Sequence, residues 1–447
     1  MFEIIVDIPN YAGWNRKSID QLCSIARRGT APVYVENSSI KAIGQRCVTH
    51  GDFEPIFARP HSEKATSNIL EAEKNDVLLN STGTGTIGRS VIFDDPGKYI
   101  VDGHVTVLRP HKELVDSRWL NAVIRSKWFQ SHLERFCYTG STNQLELSRT
   151  YLNSSSLPIP PEEEQSQIGD VLDAIDTQIR ETEAIIAKLQ QVKQGLLHDL
   201  LTRGVDENGE LRPSYEDAPE LYKSSELGWI PVNWTCMNIG EAITKKYIME
   251  VQDGNHGEIH PKTSDFVKDG VPFIMANDIQ NNKINFDKCY RITEKQYESL
   301  RIGFSTASDV LLSHKGTVGQ VAIVPDDCEK IMLTPQVTYY RCDAEQLAPQ
   351  YLSCWFLGSY FQKILSALSA QSTRAYIGIL AQRELPLLFP PKREQLMISE
   401  RYSSIYNRYD FELTYLKKLK LKKSGLMDDL LTGKVRVTEL LKQKQAS

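Results

Sequence analysis

Laid against itself, this chain matches twice over. Asp76-Val-Leu-Leu79 recurs as Asp309-Val-Leu-Leu312, and Gly85-Thr-Ile-Gly88 recurs as Gly316-Thr-Val-Gly319. Val105-Thr106 is matched by Val337-Thr338, and the aromatic, helix-like stretch Trp119 to Leu133 is echoed by Tyr351 to Leu365. Pro160-Pro161-x-x-Glu164-Gln165 returns as Pro390-Pro391-x-x-Glu394-Gln395, and Leu196 to Thr202 returns as Leu426 to Thr432, both at an offset of 230 residues. A repeat of this length means one folding unit used twice. Each copy is a mixed segment (1–157 and 231–387) followed by a long helix (158–204, and 388–447 with its tail), with 205–230 as the linker. Short β-branched runs such as Ser90 to Phe93 and Val321 to Val324, bounded by Gly, Pro and Asp, read as strands. The prolines at 158, 160, 161, 386, 390 and 391 close the mixed segments and open the helices.

The helical stretches carry a heptad stripe. In the first, Ile168, Leu172, Ile175, Ile179, Ile186, Leu189, Leu196 and Leu200 alternate at spacings of four and three once Thr182 and Lys193 are counted. In the second, Ile398, Tyr402, Ile405, Tyr409, Leu416, Leu419, Leu426 and Leu430 repeat the stripe, with Glu412 and Lys423 at the corresponding polar interruptions. That spacing is the seam of a coiled coil. Charge favours the two helices meeting each other: residues 158–230 carry a net −10 and residues 388–447 a net +6. The linker could allow either a parallel or an antiparallel pair.

Overall charge is −5 on 447 residues, which excludes a uniformly basic nucleic-acid binder but allows local basic faces. No run of 18 apolar residues is present, so no transmembrane helix is expected. The eight cysteines are scattered without a CxxC pair, so a structural zinc is not expected and reduced thiols are the default.

Gly83 to Ser90 nearly spells a Walker A loop, with Arg89 in place of Lys, and also spells GxGxxG. Both motifs need a helix to follow. Here a strand pattern follows instead, and the repeat copy, His314 to Gly319, keeps neither motif. The competing readings are a Gly-rich turn between strands and a Gly-rich loop whose backbone approaches DNA, which are compatible. No HExxH, GxSxG, amino-methyltransferase Asn/Asp-Pro-Pro-Tyr/Phe motif or nuclease arrangement is present, so the chain is expected to be non-catalytic.

Taken with the two Pro-Pro-x-x-Glu-Gln helix starts and the two Leu-Leu-Thr helix ends, the segments Gly204 to Pro213, Leu227 to Pro231 with Trp234, and Gly270 to Ile279 complete a recognisable pattern. The chain resembles the specificity subunit of type I restriction–modification enzymes. The resemblance implies an α+β fold: two mixed α/β target recognition domains separated by two long antiparallel coiled-coil helices, with a pseudo-two-fold internal repeat. It implies that each domain reads one half of a bipartite site on double-stranded DNA. The helices would then space the half-sites and dock two modification (methyltransferase) subunits and the restriction (motor/nuclease) subunits. S-adenosylmethionine, ATP and Mg²⁺ would be used by those partners, with no cofactor or metal on this chain, in the cytoplasm of a prokaryotic cell. One departure stands out: the second copy opens with Gly-Trp-Ile-Pro and Trp234, whereas the first has only Trp14 as an echo.

Base and phosphate recognition needs donors and acceptors on loops. On that basis the DNA-reading candidates are Thr84, Thr86, Arg89, Thr142, Asn143 and Gln144 in the first copy. In the second they are Asn277, His314, Lys315, Thr317, Gln320, Thr373 and Arg374. The alternatives are a free-standing two-headed DNA-binding or scaffold protein, and a nucleotide-binding enzyme using the Gly83–Ser90 loop.

Overall fold

The computed structural model describes residues 3–49, 51–64, 69–141, 144–256, 259–370, 375–438 and 442. The chain divides into two compact units, Met1–Ala184 with Thr414–Ser447, and Ile185–Leu413.

The first unit contains strands β1 (Cys23–Arg28), β2 (Ile40–Ile43), β3 (Val77–Asn80), β4 (Ser90–Ile92), β5 (Lys98–Val101) and β6 (Val105–Pro110). Helices α1 (Ser117–Arg125) and α2 (Lys127–His132) follow, and then α3 (Glu162–Thr202) begins. The main sheet runs β1-β6-β3-β4, antiparallel throughout. A smaller sheet pairs β2 parallel with β5. Helix α1 starts where the Asp116 carboxylate accepts the Arg118 N–H, and α2 starts where Ser126 Oγ accepts the Phe129 N–H.

The second unit repeats the plan with β7 (Ile248–Asp253), β8 (Val271–Ile274), β9 (Val310–Ser313), β10 (Val321–Ile323), β11 (Ile331–Leu333) and β12 (Val337–Cys342). Helices α4 (Pro349–Leu357), α5 (Ser359–Ser369) and α6 (Lys392–Leu431) complete it. Its main sheet runs β7-β12-β9-β10, and β8 pairs parallel with β11.

The central strands show why Asp-Val-Leu-Leu is the repeated word. Alternate side chains of a strand face opposite sides. Val77 and Leu79 join one core with Trp119, Val123 and Phe129, while Leu78 joins another with Val91, Tyr99 and Val107. Val310 and Leu312 join Tyr351, Trp355 and Phe356, while Leu311 joins Ala322 and Tyr339. The leading aspartates, each 1% exposed, accept two bonds from one guanidinium: Asp76 from Arg109 (both 2.8 Å) and Asp309 from Arg341 (2.9 and 2.8 Å).

The two long helices hold 41 and 40 residues, about 60 Å each at 1.5 Å per residue. Every residue of the predicted stripe is buried or half-buried, and the interruptions Thr182 and Glu412 are buried too. Thr182 Oγ1 donates back to the Gln178 carbonyl at 2.7 Å, and Glu412 is held by Arg408 one turn away at 2.8 Å. The helices pair antiparallel within each unit. In the first, Lys423 meets Asp176 and Lys420 meets Glu183 at 2.7 Å. In the second, the Lys193 ammonium lies 4.3 Å over the ring of Tyr409 and 5.8 Å over that of Tyr406. Toward the helix ends the stripe leaves its partner and enters the domain cores, Ile168, Leu172 and Leu430 in one unit and Leu200, Ile398 and Tyr402 in the other. The 205–230 stretch, expected as a linker, is structured: Tyr222–Ser225 and Gly228–Pro231 form a hairpin within the second unit. No helix among the described residues is long and apolar enough to cross a membrane.

Candidate nucleic-acid interface

The Gly-Thr loop is a strand-to-strand turn in both units, between β3 and β4 and between β9 and β10. No helix follows it, so the helix N-terminus that a Walker or dinucleotide loop presents to phosphate is missing. The glycines are required by geometry. Gly88 has φ +84°, and a Cβ there would sit 2.4 Å from Tyr138 Oη and 2.6 Å from Gln130 Oε1. Gly319 has φ +92°, with Gln362 Oε1 at 2.5 Å. These two glutamines are repeat equivalents. Gln130 Nε2 donates to the carbonyls of Gly88 (2.9 Å) and Ile124 (2.7 Å), and Gln362 Nε2 to those of Gly319 (3.0 Å) and Phe356 (2.6 Å). The loop is thus stapled to the helix behind it. A second tie reaches the short turn after the β2 or β8 strand: Thr86 Oγ1 donates to Gln45 Oε1 at 3.0 Å, and Thr317 Oγ1 to Asn277 Oδ1 at 3.3 Å.

Within this frame the sequence candidates separate. Thr84 and Gln144 are exposed, Thr86 is half-buried in its tie, and Arg89 is half-buried with its guanidinium donating to the Gly85 carbonyl at 2.5 Å. In the second unit Asn277, Lys315 and Thr317 are exposed and lie around one loop, with the Lys315 ammonium 5.9 Å from the Tyr376 ring; Gln320 is half-buried. His314 does not join them. Its ring is 2% exposed, Nδ1 lies 3.1 Å from the Ile377 carbonyl and Nε2 3.6 Å from Asp253, and burial pulls its pKa down. It braces the loop from inside and offers DNA no exposed donor. Thr142, Asn143, Thr373 and Arg374 lie outside the described residues.

Sequence reasoning missed two exposed arginine–aromatic pairs in the first unit. The Arg46 guanidinium lies 4.5 Å over Phe57 and that of Arg59 lies 3.7 Å over Tyr34. Phe57 and Tyr34 are each 40% exposed, and flat cation–aromatic faces of this kind suit base or phosphate contact. Arg46 is the repeat counterpart of Asn277, which was the available signal.

The Pro-Pro-x-x-Glu-Gln motif has a defined job. Gln165 accepts the Asp116 N–H (3.0 Å) and donates to the carbonyls of Leu114 (3.0 Å) and Pro160 (2.9 Å). Gln395 makes the same three bonds, with Ala348 N (2.9 Å), Gln346 O (3.1 Å) and Pro390 O (2.9 Å). Each preceding glutamate receives an arginine from the chain that follows the other long helix: Glu164 from Arg436 (Nε at 2.7 Å), and Glu394 from Arg212 (Nη2 at 2.9 Å). The glutamine fixes a helix start to its domain, and the glutamate ties it to the end of the antiparallel partner.

A second tie between domain and helix is reversed in sign. In the first unit the hairpin joined by the Val48–Phe53 bridge presents Asp52 to Arg180 of α3 at 3.8 Å. The equivalent hairpin, Ile279–Gln280 with Lys283–Ile284, presents Lys283 to Asp410 of α6 at 2.7 Å. Its tip residues Asn281 and Asn282 have φ +50° and +57°, and they also bond Tyr406 and Tyr402.

Residues 11–191 match the family described as type I restriction modification DNA specificity domain. The type I restriction enzyme MjaVIII specificity subunit of Methanocaldococcus jannaschii is 24% identical over 381 residues, covering 84% of this chain and 83% of that protein. Over residues 11–191 the chain thus matches the specificity-domain family, and over most of its length it is similar to type I specificity subunits. The EcoBI specificity subunit of Escherichia coli is 24% identical over 275 residues, 60% of this chain and 55% of that one. Two solved structures share the fold over 95% of this chain and 98% of theirs. One is the S subunit of a type I restriction–modification system from M. genitalium (TM-score 0.59, 12% identity). The other is a chain described under complex assembly and conformational transition of a type I system (TM-score 0.52, 16% identity). The unusual opening of the chain also has a structural counterpart. Trp234 is fully buried against Gly204 at the end of α3, and Trp14, 8% exposed, packs against Gly433 at the end of α6. Trp14 therefore fills the same place without the Gly-Trp-Ile-Pro hairpin strand.

Proposed function

We propose that this subunit reads a bipartite site on double-stranded DNA, one half with each unit, and that α3 and α6 act as the spacer between the two readings. The observation that carries this is the repeat of one frame with different exposed side chains. The loop staples Gln130 and Gln362 and the ties Thr86–Gln45 and Thr317–Asn277 are kept. The exposed positions differ: Thr84 on one side and its counterpart Lys315 on the other. A frame kept constant while its outward donors and acceptors change is what two readers of two different sequences require. On this reading the chain performs no chemistry. Two modification subunits holding S-adenosylmethionine methylate adenine where it directs them, and restriction subunits using ATP and Mg²⁺ cleave. The test is co-expression with the neighbouring modification subunit, followed by sequencing for N6-methyladenine. Methylation at two short half-sites around a fixed gap is expected. Failure of the two proteins to copurify, with no methylation, would overturn the proposal in favour of a free-standing DNA-binding or scaffold protein.

A further inference from the structure

The first unit contains a basic cavity whose lining cations are mostly not kept at the equivalent positions of the repeat copy. It has a volume of about 550 Å³, and five cations line it: Arg89 from the loop before β4, Arg125 from the last turn of α1, Arg180 from α3, and Lys420 and Lys423 from α6. Three acids share the lining. Asp52 lies 3.8 Å from Arg180, Glu183 lies 2.7 Å from Lys420, and Asp176 holds Lys423. Five positive charges against three leave a net of +2 in a concave space. Lys423 is the more enclosed of the two lysines that line it. Its side chain is only 16% exposed, and its pKa is lowered by burial first and then by Arg125 and Arg180. Arg89 and Arg125 also line an adjoining cavity of about 830 Å³ beside the Gly-Thr loop, together with Glu134, so these two arginines connect the basic cavity to the candidate reading loop. In the second copy the equivalent positions are Gln320, Leu357, Asp410, Gln190 and Lys193, with a single cation among them.

We infer that this cavity is a phosphate site, taking the DNA backbone where it leaves the first reading loop and passes along the helices. The inference rests on the DNA-reading proposal. Guanidinium groups suit a phosphate by forked donation, and ammonium groups act as point charges. The pocket neutralises phosphate without reading sequence, so it anchors register for the first unit alone.

The test uses the full chain, purified with its modification subunit, and duplex DNA of mixed sequence in a salt titration of affinity. Each lost phosphate contact lowers the slope of log affinity against log salt by roughly 1. Arg125→Gln and Lys423→Gln are each expected to lower the slope by about that amount, while Lys288→Gln, an exposed cation of the second unit, leaves it unchanged. Circular dichroism and melting confirm that each variant is folded, and Arg125→Gln stands if Lys423→Gln does not fold. Wild-type binding without salt dependence would sink the DNA reading itself. Normal wild-type binding with unchanged slopes in both variants would overturn the phosphate site alone. Unchanged slopes with loss of the modification subunit on purification would assign the pocket to an acidic protein partner instead.

Discussion

Glu394→Gln is the sharpest perturbation of the helix frame. The Glu394 side chain is 7% exposed and Arg212 12% exposed. The carboxylate accepts from Arg212 at Oε2 (2.9 Å), from the Val205 N–H (3.0 Å) and from Asn233 Nδ2 (3.3 Å). Amidation leaves a desolvated guanidinium without its counter-charge, and breaking a buried pair from one side costs about 3–5 kcal/mol. For a unit of this size that is a fall in Tm of roughly 10 °C. The repeat supplies an internal control. Glu164 is 4% exposed, but its partner Arg436 is 38% exposed, so water takes over part of the solvation when the carboxylate is lost. Glu164→Gln should therefore cost about 1–2 kcal/mol, as for a partly hydrated charged hydrogen bond. Thermal melting of both variants checks the ordering. Equal losses, or a shift below about 2 °C for Glu394→Gln, would refute the claim that burial of the pair sets its contribution.

The remaining expectations concern the hairpin ties and acid stability. A double-mutant cycle on Asp52 and Arg180, 60% and 57% exposed, should give a coupling of about 0.5 kcal/mol, and the pair-reversed Asp52→Lys/Arg180→Asp should recover most of the single-variant loss. Lys283 with Asp410 is shorter and less exposed on its acid, so about 1 kcal/mol is expected there, and no coupling would contradict the tie. His132 is held neutral, its pKa brought to about 4 by burial, with Nε2 2.8 Å from Ser155 Oγ. The folded pKa lies below the unfolded value of about 6.5, so the unfolded state gains the proton first as pH falls. Stability from this group is intact above pH 6.5 and lost progressively down to pH 4, on the order of 3 kcal/mol. In His132→Gln the loss over that window should shrink, measured as the difference between the two pH–stability curves; superimposable curves would contradict it.

Much of this was legible because it is local. The stripe from Ile168 to Leu200, with Thr182 and Lys193 in place, needs only the helical period, and the structure keeps every position of it inward. The turn at Gly83 to Gly88 could be told from a nucleotide loop because a strand pattern follows it. The Glu-Gln of the helix starts was recognisable as a word, but its meaning was not: Glu164 finds Arg436 across 272 residues and Glu394 finds Arg212 across 182. In sequence His314 reads as a loop donor because it is polar and adjoins a glycine loop. Only the approach of Asp253 and Ile377 shows that it is buried. The reversed ties Asp52–Arg180 and Lys283–Asp410 were invisible for the same reason, since each partner sits on a different element.

The central claim is that each unit reads its own half-site while the helices hold the gap. Replacing residues 23–157 with the corresponding segment of a type I specificity subunit that directs methylation to a different site, leaving 158–447 untouched, tests it directly. Sequencing of N6-methyladenine after co-expression with the modification subunit should show one half-site changed, the other retained, and the gap between them unaltered. A change in both half-sites, or loss of the retained half with the complex still assembled, would contradict the account.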